Sequence, residues 1–320
     1  MFEKACSSSP CFSHSSVAPT LLKGVRNRVI VYPGCFNPPH LGHLELILHV
    51  FLRSDENTIG AFLVPVGGVL KGKHSEMIGN GELFTPNKQE RIDLLQNDLL
   101  QRFAWSYPYR RRDLLEFEKK MVELANKDGF ELTFVALSGS DHYENVFKCQ
   151  TLNLTDASMT GGSITSDITR PSILHTPGPS SLANYPPVTL PDCSSWRMVL
   201  PAKSNVMKNE CMCSSKHSCA VCRKLKTLTS GGYTTIAGFI AKFLVRCHEA
   251  NGVAWVCQRA TGGTITYLPS GRTYPGDSKR PNISSSKIRQ ILGRILPRET
   301  LEDLLENTAM NPGMLLSILM

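Results

Sequence analysis

The sequence predicts an α/β protein built on a doubly wound parallel sheet with helices on both faces. Short apolar, β-branched runs alternate with segments of helical spacing, the order that a parallel sheet with crossover helices requires. Two of those runs stop at glycine turns, Gly34 and Gly139. Both turns therefore fall at carboxyl ends of strands, where open α/β sheets bind ligands. A long Ser/Thr/Pro-rich stretch interrupts the alternation and reads as a partly disordered insertion.

Residues 1–26 are Ser-rich and aperiodic, a flexible tail. Arg28 to Tyr32 is the first buried strand, closed by Pro33-Gly34. Leu44, Ile47, Leu48 and Phe51 then repeat at helical spacing, predicting a helix over 41–53. Ile59 to Val66 reads as a second strand. Thr85-Pro86 reads as a cap followed by proline at the first helical position, starting a helix with Ile92, Leu95 and Leu99 on one side. A further helix is expected over 111–126 and a strand over 131–137, ending in Ser138-Gly139-Ser140-Asp141. After the insertion, helical pattern resumes over 236–248. Strands follow at 253–257 and 265–268, then helices at 284–295 and 299–307. The expected organisation is a tail (1–26), a first core part (27–150), a Ser/Thr/Pro-rich and Cys-rich insertion (151–235) and a second core part with C-terminal helices (236–320).

At 320 residues and 41% hydrophobic content the chain can bury a real core. Lys plus Arg number 35 against 27 Asp plus Glu, a formal charge of +8 that suits an anionic partner. Nucleotide phosphates and nucleic acid both fit that charge, as does a basic but inert surface. No stretch approaches the ~20 apolar residues that span a bilayer, and the run around 46–52 is broken by His49. The N-terminal tail has no apolar signal core and no arginine before Arg26. The expected location is intracellular, cytoplasmic or nuclear, and the 11 cysteines are expected to be mostly reduced.

The strongest chemical signal is the string Gly34-Cys35-Phe36-Asn37-Pro38-Pro39-His40-Leu41-Gly42-His43. A strand ends in a glycine turn whose N–H groups can approach an anion. His40 and His43 sit three apart at a helix start, so both imidazoles can face one ligand. Gly42 removes a side chain between them, allowing a phosphate or base near the backbone, and the helix N-terminus favours anions. The competing reading is a Pro-Gly loop with two incidental histidines. A second string, Asn282-Ile283-Ser284-Ser285-Ser286-Lys287-Ile288-Arg289, puts three hydroxyls and a guanidinium on a helix start, where they can hold phosphate oxygens. It also reads as an ordinary Ser-capped helix. Within the insertion, Cys211, Cys213, Cys219 and Cys222, with His217 between, could hold a tetrahedral Zn²⁺, although the loop between the pairs is short for a zinc module. Trp196 reads as a packed tryptophan, with a stacking surface for ligand as the alternative.

The first string resembles the G-x-F-[ND]-P-x-H-x-G-H signature of the nucleotidyltransferase superfamily, whose fold is Rossmann-like. The second resembles the I-S-S-T-x-x-R motif of its nicotinamide and nicotinate mononucleotide adenylyltransferases, with Ser286 in the threonine position. Cys35 departs from the usual Ser or Thr, at a position used through its backbone. The R-T-E-G-I-S-T-S string of the cytidylyltransferases is absent. Gly139-Ser140-Asp141 resembles the G-[AS]-D turn, and Val256 to Arg259 the strand that ends in arginine. Lys71 and Lys73 fall where a phosphate-binding lysine is common. The resemblance covers about 28–150 and 236–296.

It implies transfer of AMP from ATP to nicotinamide or nicotinate mononucleotide, releasing pyrophosphate, with Mg²⁺ accompanying ATP. It implies catalytic roles for His40, His43 and Arg289. Contacts to ATP phosphates would come from Gly34, Cys35, Phe36, Gly42, Ser284, Ser285 and Ser286. Contacts to the second substrate would come from Asn37, Lys71, Lys73, Gly139, Asp141 and Arg259. Another member of the superfamily, a cytidylyltransferase among them, is the first alternative. A non-catalytic zinc- or nucleic-acid-binding protein on a degenerate transferase fold is the second. A homo-oligomer is compatible with the sequence.

Overall fold

A computed structural model describes residues 19–54, 57–66, 86–96, 99–139, 162–169, 174, 186–190, 193–199, 224, 253–260, 262–270, 283–294 and 296–319. Among them eight strands form one sheet in the order β3-β2-β1-β4-β5-β8-β7-β6. The strands are β1 (Arg26–Gly34), β2 (Thr58–Pro65), β3 (Ala104–Ser106), β4 (Glu131–Leu137), β5 (Ser163–Thr165), β6 (Arg197–Val199), β7 (Ala254–Gln258) and β8 (Thr264–Tyr267). The first five and β8 run parallel. The β6–β7–β8 end is antiparallel. The expected doubly wound α/β architecture is therefore present, with an antiparallel margin.

Alternation along β1 explains the two layers. Val29 and Val31 pack with Phe62, Val64 and Phe134 against Leu114, Phe117 and Met121 of helix α3 (Arg111–Lys127). Ile30 and Tyr32 point the other way, against Leu44, Leu48 and Phe51 of helix α1 (Leu41–Arg53). Each large apolar side chain so buried contributes roughly 1.5–3 kcal/mol before entropy is subtracted. Chain order reverses between β1 and β4, so the crevice above them is the topological switch point.

Helix α2 (Lys88–Leu94) corrects the expected start at Thr85-Pro86. Asn87 Oδ1 accepts from the Glu90 N–H (3.1 Å) and Glu90 Oε2 accepts from the Asn87 N–H (2.6 Å). This capping box satisfies two orphan donors at once. Leu95 caps the helix end and Leu99 lies beyond it, though both are buried.

Part of the segment read as an insertion is built into the sheet. β5 fills the slot between β4 and β8. Gly162 before it has φ +86, and a Cβ there would lie 2.4 Å from the Thr264 carbonyl oxygen, so only glycine fits. Trp196 is a half-buried packing residue whose Nε1 donates to the Val188 carbonyl (3.0 Å). Lys224 covers the C-terminus of α1, donating to the carbonyls of Phe51 (2.7 Å) and Ser54 (3.1 Å), as a cation should at that end of a helix.

Helices α4 (Ser285–Leu292), α5 (Arg298–Glu306) and α6 (Pro312–Leu319) pack with Leu94 of α2 through Ile288, Ile291, Leu305, Leu315 and Leu316. Among the described residues no helix is long and apolar enough to cross a membrane. The helix expected over 236–248 lies outside the described residues.

Candidate active site

The loop after β1 is shaped by its own side chains. Phe36 adopts φ +47 and folds its ring back over the strand end. A Cβ on Gly34 would lie 2.8 Å from that ring. Glycine is needed here to admit Phe36. The Phe36 ring is buried, edge-on to Tyr32 (5.3 Å) and to His43 (4.9 Å). Its side chain thus supports an imidazole from below, and only its backbone remains for a phosphate. Gly42 has a similar explanation. A Cβ there would sit 2.9 Å from His40 Nδ1 and 3.0 Å from its Cε1, so the glycine makes room for the His40 ring.

The two imidazoles stack, with centroids 3.7 Å apart and planes inclined by 24°. His43 Nδ1 accepts the His40 backbone N–H at 3.1 Å. That bond places the proton of the neutral ring on Nε2, making Nε2 a donor. His40 is the N-cap of α1. The Leu41 N–H behind it is held by the Thr308 carbonyl (3.0 Å), and His40 pairs with Ala309 as an antiparallel bridge. The C-terminal segment therefore fixes the start of α1 from outside.

The second motif reaches the same loop. Ser285 Oγ donates to the Pro38 carbonyl (2.8 Å), and the Arg289 guanidinium donates to the Asn37 carbonyl. Arg289 Nη2 also bonds Ser286 Oγ (2.9 Å), and Ser284 Oγ accepts from the Lys287 N–H (3.2 Å) as the cap of α4. Each of the three serines expected to cradle phosphate has a partner within the protein. Arg289 is buried.

Other expected site residues divide by position. Gly139 lies at the carboxyl end of β4, half-buried beside the switch point. Cys35 is exposed, with its carbonyl turned to Arg91. Arg259 falls elsewhere: β7 is antiparallel to β8, so the turn in which the Arg259 N–H bonds the Gly263 carbonyl (3.0 Å) lies at the amino end of β8. The structure does not bring Arg259 to the loop. Lys71, Lys73, Asp141 and the cysteines 211, 213, 219 and 222 lie outside the described residues.

Three buried polar atoms at this edge of the sheet, Asn37 Oδ1, Ser138 Oγ and Thr165 Oγ1, have no hydrogen-bond partner among the described residues. Ser138 and Thr165 follow the paired residues Leu137 and Ile164, so they stand side by side on neighbouring strands. Asp167, also buried past the end of β5, is satisfied by the Ser270 N–H (2.8 Å) and hydroxyl (3.0 Å). The sequence reading passed over Arg91 as a helix residue. Its guanidinium in fact clamps the loop through the carbonyls of Cys35 (2.7 Å) and Val66 (3.0 Å). The position one turn into a helix beside a strand end was the available signal.

No protein-family model and no curated protein sequence matches the chain. Among solved structures, one with similarity is the Plasmodium falciparum nicotinic acid mononucleotide adenylyltransferase complexed with NaAD. The match has 12% identity and a TM-score of 0.30, and covers 44% of this chain and 64% of that one. The chain thus matches less than two thirds of the length of that structure.

Proposed function

We propose that this chain is a nucleotidyltransferase that transfers AMP from ATP to nicotinamide or nicotinate mononucleotide and releases pyrophosphate. The observation that carries the reading is the meeting of two sequence-distant motifs at one loop. Ser285 and Arg289 bond the Asn37-Pro38 carbonyls, three residues from the stacked imidazoles. The two strings are also those that resemble the adenylyltransferase signatures.

In this mechanism an oxygen of the mononucleotide phosphate attacks the α-phosphorus of ATP, forming a P–O bond as the bond to pyrophosphate breaks. The attacking oxygen is already anionic, so no covalent nucleophile is needed. Catalysis consists of alignment and charge stabilisation. His43 Nε2–H is preset as a donor to the developing charge, held by the His40 N–H on one side and the Phe36 ring on the other. Arg289 and Ser285 keep the loop closed against α4. Mg²⁺ supplies charge neutralisation when it arrives with ATP, and it needs few protein ligands.

The test is pyrophosphate release from ATP or CTP against a panel of phosphate acceptors. Turnover with ATP and a pyridine mononucleotide supports the reading. Turnover with CTP and phosphocholine-type acceptors selects another member of the superfamily, and no release with any pair overturns it.

A further inference from the structure

Arg91 is a buried cation that the proposed mechanism leaves over. It is 5% exposed, in the last turn of α2 behind the β1 loop. Nη1 donates to the carbonyls of Cys35 (2.7 Å) and Val66 (3.0 Å), and Nε to that of Asn87 (3.3 Å). These three bonds use three of the five guanidinium N–H groups. Nη2 keeps two donors that no described group accepts, and no carboxylate pairs with Arg91 among the described residues.

Backbone carbonyls satisfy hydrogen bonds but bring no net charge. A buried charge without a counter-charge is costly, and an anion at the same spot removes that cost. The direction of its titration agrees: burial pushes the Arg91 guanidinium below its ordinary range, with Cys35 opposing in part. Lys88, one turn earlier, is likewise lowered, by burial first and then by the Arg91 charge. The same guanidinium fixes the spacing of two strand ends, because the Val66 N–H also bonds the Gly34 carbonyl (2.9 Å) across them.

We propose that Arg91 is a phosphate-binding residue of this site, whose Nη2 donors take an oxygen of a polyphosphate bound beside the β1 loop while its Nη1 ties Cys35 to Val66 at the end of β2. This rests on the nucleotidyltransferase reading and adds to it a cation from a third element, beside the imidazoles of α1 and the guanidinium of α4.

The probe is inorganic pyrophosphate, titrated calorimetrically into the full chain as wild type, R91M, R91K and the surface control K127M. One charge-assisted hydrogen bond corresponds to a ~10–100-fold change in affinity. R91M is expected to weaken pyrophosphate binding by that factor and to raise the KM for ATP more than it lowers kcat. R91K is expected to recover part of the affinity, since an ammonium keeps the charge but, as a compact point donor, lacks the planar fork that spans the Cys35 and Val66 carbonyls and an anion at once. K127M should bind as wild type does. If R91M does not fold, R91K decides. A folded R91M or R91K with wild-type pyrophosphate affinity and wild-type KM overturns the assignment while leaving the transferase reading standing. A wild-type chain that neither binds pyrophosphate nor releases it from a nucleotide overturns both.

Discussion

Two helices begin at the same edge of the sheet, α1 at His40 and α4 at Ser284, and they solve the problem of a helix start in different ways. At α4 the solution is local. Ser284 caps its own helix, Ser286 holds Arg289, and Ser285 reaches out to Pro38. At α1 no Ser, Thr, Asp or Asn is present to cap. The Leu41 N–H is satisfied by a carbonyl from Thr308, far along the chain, and His40 and His43 brace each other. The difference teaches that one start is a buttress and the other a working surface. In the proposed mechanism the helix that imports its partners offers an imidazole donor to substrate, and the self-capped helix positions the loop carrying it.

The largest expected effect comes from removing the working donor. His43→Ala should cost ~10²–10³ in kcat, with an unchanged melting temperature, measured by pyrophosphate release and thermal unfolding. Wild-type turnover in that variant would erase the distinction between the two starts. Gly42→Ala should come next. Its Cβ would meet the His40 ring at 2.9 Å, so the stacked pair must shift and kcat should fall at least tenfold with both histidines intact. Ser285→Ala removes one tie between the buttress and the loop. About 1 kcal/mol is at stake, hence a ~5-fold loss in kcat/KM. Ser284→Ala should act on stability alone, lowering it by about 1 kcal/mol through the lost cap of α4, read by denaturant unfolding.

A last prediction concerns a region remote from both helix starts and serves as a control. Burial in α3 raises the Glu118 carboxyl to about 8. A carboxyl raised on folding favours the native state most below its unfolded value of about 4.3, and that contribution is lost as pH rises through 8. Wild type should therefore lose stability between about pH 5 and 8, by on the order of 1 kcal/mol per pH unit, and level off above that. Glu118→Gln should flatten the profile and be the more stable protein at pH 9. Equal slopes in the two proteins would mean that Glu118 ionises freely.

How much of this was legible beforehand depends on length and period. β4 and α1 could be bounded from the sequence because their apolar residues repeat over 7 and 13 positions. β5 could not, since three residues inside a Ser/Thr/Gly run carry no period; its place follows from Gly162 and from pairing on both sides. The helix at Pro312–Leu319 was hidden by a Pro-Gly pair that reads as a turn. Asn311 in fact caps it, accepting from the Met314 N–H (3.3 Å), with proline at the first helical position. In the site, the histidines and Arg289 stood out because their spacing is chemical. The His40 ring beside Gly42 was not legible, since sequence cannot say which ring fills the space that a glycine leaves. Arg91 was passed over because its partners are backbone carbonyls of two other elements, which leave no trace in residue identity. Arg259 was misplaced for a topological reason: the sheet turns antiparallel at β7, which sends that strand end away from the crevice.

The central claim is that the imidazole of α1 and the guanidinium of α4 serve one triphosphate, the first as a donor to it and the second by holding the loop beside that donor. It is tested most directly by a double-mutant cycle on kcat/KM for ATP, using His43→Ala, Arg289→Met and the pair, each checked for folding by its melting temperature. If the two groups act on one reacting polyphosphate, the losses will fall well short of additive, with a coupling above ~1 kcal/mol. Losses that add to within ~0.5 kcal/mol would show two independent sites and contradict the account.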